Sequence, residues 1–188
     1  MKIPMEYTHF GYEFLDKVPG GKIHSGIDLN YGSPSEDLGK SIYATDDGEV
    51  VYARFSSGWG NMIVIKHNGC FSRYAHLEEM KVSIGERVSE GMEIGTCGGT
   101  GGDWKPHLHF DIIIKELPSW TNYTTGFSES NVLEYYADPL EYIKNHNSDN
   151  KIVKAISIAQ KISARMIKKK DTETQRLAAE IIELLKNI

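Results

Sequence analysis

The chain has only two cysteines, Cys70 and Cys97, far apart and in no CxxC arrangement. That argues against a zinc site closed by thiolates and against a disulfide framework. The two thiols read as free and buried, with a single bridge as the alternative. Long hydrophobic runs are also missing. The longest, Met62-Ile63-Val64-Ile65 and Ile112-Ile113-Ile114, are strand-sized, whereas a membrane span needs ~20 apolar residues. The opening residues Met1-Lys2-Ile3-Pro4-Met5-Glu6-Tyr7 place an acid and a proline where a secretory leader has its apolar core. The expectation is a chain without its own export signal, which either reaches its place of action by another route or is trimmed from a longer parent. Basic residues are the minority, 21 Lys+Arg against 26 Asp+Glu for a net charge of −5, and no nucleic-acid motif is present, so no DNA or RNA partner is expected.

What is present suits a globular, β-rich protein. Of 188 residues 40% are hydrophobic and 25% charged, which excludes disorder, and the 18 glycines and 10 tyrosines suit turns and strands. A chain of this length buries roughly 70% of its unfolded surface without staples. Charge divides it unevenly: from Lys144 onward there are ten Lys+Arg against five Asp+Glu, and the preceding part is strongly acidic. The turn-rich stretch His146-Asn147-Ser148-Asp149-Asn150 marks the change. The expected organisation is an N-terminal arm over 1–22, a functional domain over 23–143 and a basic helical segment over 144–188.

Before that boundary, short β-rich runs are punctuated by glycine, as in Gly48–Ala53 and Gly60–Lys66. The alternation from Lys81 to Gly95, turning at each glycine, predicts a meander of short antiparallel strands. After Asn150, Ile152, Ile156, Ala159, Ile162 and Met166 recur at helical spacing. Leu177, Ile181, Leu184 and Ile188 do so after a capping-box sequence, Thr172-Glu173-Thr174-Gln175. Two helices interrupted at Lys168–Asp171 are expected, their apolar stripe docked on the protein's own domain or against a second copy.

The chemistry lies in the histidines. Pro106-His107-Leu108-His109-Phe110-Asp111-Ile112 alternates strictly, so a strand turns His107, His109 and Asp111 one way and Leu108, Phe110 and Ile112 the other. An HxH on a strand fits a metal site and a polar strand face equally. In His24-Ser25-Gly26-Ile27-Asp28 an imidazole and a carboxylate flank a glycine. Two His and one Asp from these elements complete three protein ligands and leave a fourth position for water, as hydrolytic zinc requires. In Ser72-Arg73-Tyr74-Ala75-His76-Leu77, strand alternation puts His76 on one face with Tyr74 and Ser72.

Those three motifs, together with Ala44-Thr45-Asp46-Asp47-Gly48-Glu49-Val50, Gly58-Trp59-Gly60-Asn61 and the Val88, Gly91, Ile94-Gly95 run, follow in the order of the lysostaphin-type (LytM-like) zinc metallopeptidases. The resemblance spans Ile23 to Leu140. It implies that His24, Asp28 and His109 bind zinc, and that His76 and His107 are unligated catalytic imidazoles. It also implies a mainly antiparallel β fold, a sandwich or open barrel with a groove known as the duplicated hybrid motif, here with a C-terminal helical extension. The implied activity is a metallopeptidase that hydrolyses peptide bonds of bacterial peptidoglycan, in stem cross-links or cross-bridges. Its implied place of action is the cell wall, whether extracellular, periplasmic or phage-borne.

Two segments depart from the family pattern. Thr100–Pro106 brings a tryptophan and a charged pair to the approach of the HxH, and a stretch opening at Glu116 looks inserted. Trp104, Trp120 and Tyr123 either wall the groove or stack on a glycan, or simply anchor loops. Asp111 either hydrogen-bonds a ligand imidazole or is a solvated strand-end carboxylate. His67, before Asn68-Gly69, reads as a turn residue, and His9 and His146 receive no role. The zinc endopeptidase ranks first. A non-catalytic member of the same fold that binds cell wall or activates another hydrolase is the alternative, and a phosphocarrier of related fold ranks third.

Overall fold

The computed structural model describes residues 1–121 and 128–147 and, beyond these, 151–153, 155, 156, 158, 176, 180 and 183. The chain divides into two compact units, Met1–Ile143 and Lys144–Ile188.

The first unit is built on strands β1 (His9–Phe10), β2 (Lys17–Val18), β3 (Lys22–Ile23), β4 (Ile27–Asn30), β5 (Ser41–Tyr43), β6 (Gly48–Ser56) and β7 (Gly60–Lys66). It continues with β8 (Phe71–Leu77), β9 (Glu79–Met80), β10 (Arg87–Val88), β11 (Glu93–Thr96), β12 (Leu108–Ile113) and β13 (Tyr136–Ala137). Helix α1 (Pro34–Asp37) lies between β4 and β5, and α2 (Glu129–Tyr135) precedes β13. One eight-stranded sheet runs β1-β4-β12-β8-β7-β6-β10, with β13 also paired to β12; β5-β11-β9 form a second sheet and β2-β3 a hairpin. All pairings are antiparallel.

Both faces of the large sheet are covered, so its central strands β7, β8 and β12 are buried almost throughout. Ile27, Leu29, Ile63, Ile65, Tyr74, Leu108 and Phe110 share one core with Ile42 and Ile94 of the small sheet. Val64, Phe71 and Ile113 pack in a different cluster with Leu117, Val132 and Tyr136. Alternation along each strand separates the two sets. Residues 1–22 are bound into this unit: β1 pairs with β4, the β2-β3 hairpin joins Lys17–Val18 to Lys22–Ile23, and Met1 and Met5 lie in the main core.

The meander expected over 81–95 is corrected. Gly85 and Gly91 do turn the chain with positive φ, but β10 pairs with β6 of the large sheet, while β11 lies between β5 and β9. Val88 and Ile94 are both needed in the main core, and short strands take whichever long-range partner buries them.

In the second unit the described residues are helical, and Arg176 Nε stands 3.9 Å from Glu180 Oε1 one helical turn away. The expected interruption at Lys168–Asp171, the capping box at Thr172–Gln175 and most of the apolar stripe said to dock or self-associate lie outside the described residues. So does Tyr123. Among the described residues no helix is long and apolar enough to cross a membrane.

Candidate metal centre and its cleft

The site is assembled by strand register. Because Ile27, Leu29, Leu108 and Phe110 are committed to the main core, alternation turns Asp28 on β4 and His109 and Asp111 on β12 to the opposite face. Asp28 pairs directly with His109, and His109 with Ala75 on β8. His24 reaches the same place from just before β4. Gly26 allows this approach, since a Cβ there would lie 2.2 Å from the Phe110 carbonyl oxygen and 2.7 Å from Asp111 Cβ.

Three donor atoms converge. His24 Nε2 is 3.1 Å and His109 Nδ1 3.0 Å from Asp28 Oδ1, and the two nitrogens are 2.9 Å apart. A tetrahedral ion with donors at ~2.0–2.1 Å holds them about 3.3 Å from one another, so the triangle would open by only about 0.3 Å to accept one. The remaining ring nitrogens are engaged from outside: His24 Nδ1–H donates to the Glu13 carbonyl at 3.0 Å, and His109 Nε2–H to Asp111 Oδ2 at 3.1 Å. With those outer nitrogens protonated, His24 Nε2 and His109 Nδ1 face a carboxylate oxygen, and a proton or a metal ion among the three relieves the repulsion of their lone pairs. Burial works against ionisation of Asp28, but the contacts with His109 and His24 outweigh it and hold its carboxyl well below the usual range. Burial likewise opposes a charge on His109, and hydrogen bonds to Asp111 and Asp28 overcome it and raise its pKa. The donor set therefore fits a metal ion, which would replace a proton on His109 Nδ1.

His76 is placed differently from the expectation that it shares a face with Tyr74 and Ser72. Between Asn61–Leu77 and Ile63–Tyr74 the β7-β8 register shifts, so β8 carries one extra residue, and His76 has φ +63°. Tyr74 and Leu77 both point into the main core, whereas Ala75 packs with Trp59 and Met62 on the other side. The bulge turns His76 to that side as well, with its ring 4.8 Å from the His107 ring and 6.2 Å from that of His109. His76 Nδ1–H donates to the Thr100 carbonyl at 3.0 Å and His107 Nδ1–H to the Lys105 carbonyl at 2.7 Å, leaving each Nε2 as an acceptor. His107 Nε2 lies 3.8 Å from Asp28 Oδ2. Burial, reinforced by His107 and His109, pushes the His76 pKa down to about 3, so this imidazole is neutral at ordinary pH.

The donors and both flanking imidazoles line one cleft of about 220 Å³, closed on its sides by Tyr12, Val18 and Lys22 and by Trp104. Trp104 is half exposed with its ring 5.8 Å from that of His76, so it walls the groove. Trp120 instead packs on Phe71, 5.0 Å between ring centres. Asp111 is buried against His109 rather than solvated. His67 is buried at its turn, held by the Asp47 carbonyl at 2.8 Å and Ser72 Oγ at 2.7 Å. Both cysteines are free and buried.

Sequence reasoning assigned no role to Arg73 or Glu13. Arg73 was detectable only as the one charge in an otherwise uncharged strand, and its partner Asp111 follows from register, which sequence does not print. Glu13 acts through its backbone carbonyl, so its side-chain type carries no signal.

Residues 22–119 match the sequence model of Peptidase family M23. Over 123 residues the chain is 38% identical to peptidoglycan DD-endopeptidase ShyC of Vibrio cholerae serotype O1, covering 62% of this chain and 27% of that protein. Over 94 residues it is 46% identical to the murein hydrolase activator NlpD of Salmonella dublin, covering 49% of this chain and 23% of that protein. It thus spans about a quarter of the length of these relatives. Among solved structures, a zinc containing peptidase from Vibrio cholerae aligns with a TM-score of 0.51 at 33% identity, over 58% of this chain and 35% of that one. The catalytic domain of the antimicrobial peptidase lysostaphin from Staphylococcus simulans aligns with a TM-score of 0.57 at 28% identity, over 72% of this chain and 92% of that one.

Proposed function

The chain belongs to peptidase family M23, and we propose that it is a zinc-dependent endopeptidase that hydrolyses peptide bonds of peptidoglycan at the cell wall. One observation carries this reading: His24, Asp28 and His109 converge to about 3 Å in the same cleft as two imidazoles whose tautomers are fixed with Nε2 free to accept. His24, Asp28 and His109 would hold the ion, and zinc supplies Lewis acidity toward a peptide carbonyl and a water acidified toward ~7. His76, held neutral, and His107 each present Nε2 to the cleft, where an imidazole can take up a proton and return it to the leaving amine. The carbonyls of Thr100 and Lys105 keep Nδ1 of each ring protonated, so the proton comes and goes at Nε2. Trp104, Tyr12 and Val18 line the cleft beside the donors and narrow it.

The similarity to an activator named NlpD favours a second reading, in which the domain binds and stimulates another hydrolase. An activator has no need of converging donors flanked by acceptor imidazoles, and all five residues are present here. Incubating the full chain with purified peptidoglycan separates the two. The endopeptidase releases new amino groups and no new reducing sugar ends, from walls with direct stem cross-links or with glycine bridges. Zinc-loaded protein that leaves both wall types intact would refute hydrolysis and leave the activator.

A further inference from the structure

Arg73 and Asp111 are both completely buried beneath the donor triangle, facing each other across directly paired positions of β8 and β12. Arg73 Nε donates to Asp111 Oδ2 at 3.0 Å, and Nη2 donates to the same oxygen. Ser25 Oγ adds a bond to Oδ2 at 3.2 Å, and His109 Nε2 completes the set at 3.1 Å. Four donors thus meet on Oδ2, while among the described residues Oδ1 has no hydrogen-bond partner. A carboxylate loaded on one oxygen in this way cannot swing without breaking several bonds at once. The guanidinium is fixed in turn: Nη1 donates to the Trp120 carbonyl at 3.2 Å, Nη2 lies 3.3 Å from the Tyr136 hydroxyl, and the Trp59 ring centre is 3.8 Å from Cζ. Trp59 also touches the His109 ring, 5.1 Å between centres.

We propose that Arg73 is a positioning residue for the metal centre: through Asp111 it holds His109 in the tautomer and orientation that aim Nδ1 at His24 and Asp28. The inference rests on the zinc reading above. Its physical basis is the planar fork of the guanidinium, whose Nε and Nη2 both close on Oδ2 and hold that one oxygen in place against His109. A lysine at this depth has the charge without the fork, so Oδ2 would no longer be pinned against His109. Carbonyl oxygens, by contrast, anchor His24, His76 and His107, and backbone needs no such support.

The test is zinc affinity of the full chain, read by competition with a chromophoric chelator, for the parent, Arg73→Lys, Asp111→Asn and the double variant. Imidazole nitrogen spectra report the His109 tautomer in each. The expected result is a loss of about 10–100-fold in affinity for each single variant, the cost usual for partners behind a metal ligand. The double variant should be no weaker than the worse single one, because Arg73 acts only through Asp111. Unchanged affinity in Arg73→Lys with the parental His109 tautomer, or losses that multiply in the double variant, would overturn the proposal. Should Arg73→Lys fail to fold, Arg73→Met/Asp111→Asn removes both buried charges and is compared with Asp111→Asn alone. Equal affinities support the proposal, and a further tenfold loss refutes it. A parent that binds no zinc would instead refute the zinc reading, so the two failures are distinguishable.

Discussion

His24 Nε2 and His109 Nδ1 stand 2.9 Å apart although 85 positions separate them in the chain, and each ring has its other nitrogen engaged, one by a carbonyl and one by a carboxylate. Two nitrogen lone pairs held that close beside Asp28 Oδ1 need a proton or a metal ion among them.

That relationship separates the five residues by experiment. Replacing His24, Asp28 or His109 by Ala removes one of three donors, and stoichiometric zinc should be lost. His76→Ala and His107→Ala should keep about one zinc per chain and lose hydrolysis by roughly 10²–10⁴-fold, the usual share of an acid or base. Elemental analysis beside amine release from peptidoglycan checks both, and zinc loss in His76→Ala as severe as in His24→Ala would contradict the division of roles.

His76 should not titrate in the range where histidines ordinarily do. Its pKa is pushed down to about 3 by burial and then by His107 and His109, so the folded protein keeps it neutral while an unfolded histidine gains a proton near ~6.5. Its contribution to stability is therefore complete above about 6.5 and is lost as pH falls toward 3. Proton spectra of the imidazoles between pH 5 and 8 should show a flat His76 resonance.

Gly26 allows the approach of His24 and Asp28 to β12. Gly26→Ala would drive a Cβ into the Phe110 carbonyl oxygen and Asp111 Cβ, and a loss of about 1–3 kcal/mol or more is expected, with weakened zinc binding. Gly69→Ala is the control: its φ of +91° costs about 1–2 kcal/mol, but nothing lies within 4 Å, so zinc affinity should not change. Thermal unfolding and zinc titration of both variants test this.

Cys97 should resist alkylation in the native state. Burial, with Asp37 nearby, pushes its thiol up to about 12, and burial raises Cys70 as well. Unfolded thiols ionise near ~8.5, so the stabilising contribution of the neutral Cys97 is full below that pH and declines as pH rises from about 8.5 toward 12. A maleimide at pH 7.5 should label neither cysteine until denaturant is added.

Much of this was legible before any coordinates, and the reason is locality. The alternation of His109 and Asp111 with Leu108, Phe110 and Ile112 is a two-residue period, and the structure keeps it: His109 and Asp111 share one face and bond to each other. The mainly β character followed from the short apolar runs between glycines in the same way. Where the reading relied on locality alone it failed, as at 81–95, where strands that look like neighbours take partners in two different sheets.

By itself, then, the sequence determined which side chains each strand offers and, along an unbulged strand, which of them share a face, because both depend on nearest neighbours along the chain. Only the tertiary structure decided which strands meet, and in what register. It put Asp28 beside His109, and Arg73 opposite Asp111. It also inserted the extra residue in β8 that turns His76 out of the core and into the cleft. Those choices are set by burying two faces of one sheet at once, a constraint spread over strands far apart in the chain that no local pattern encodes.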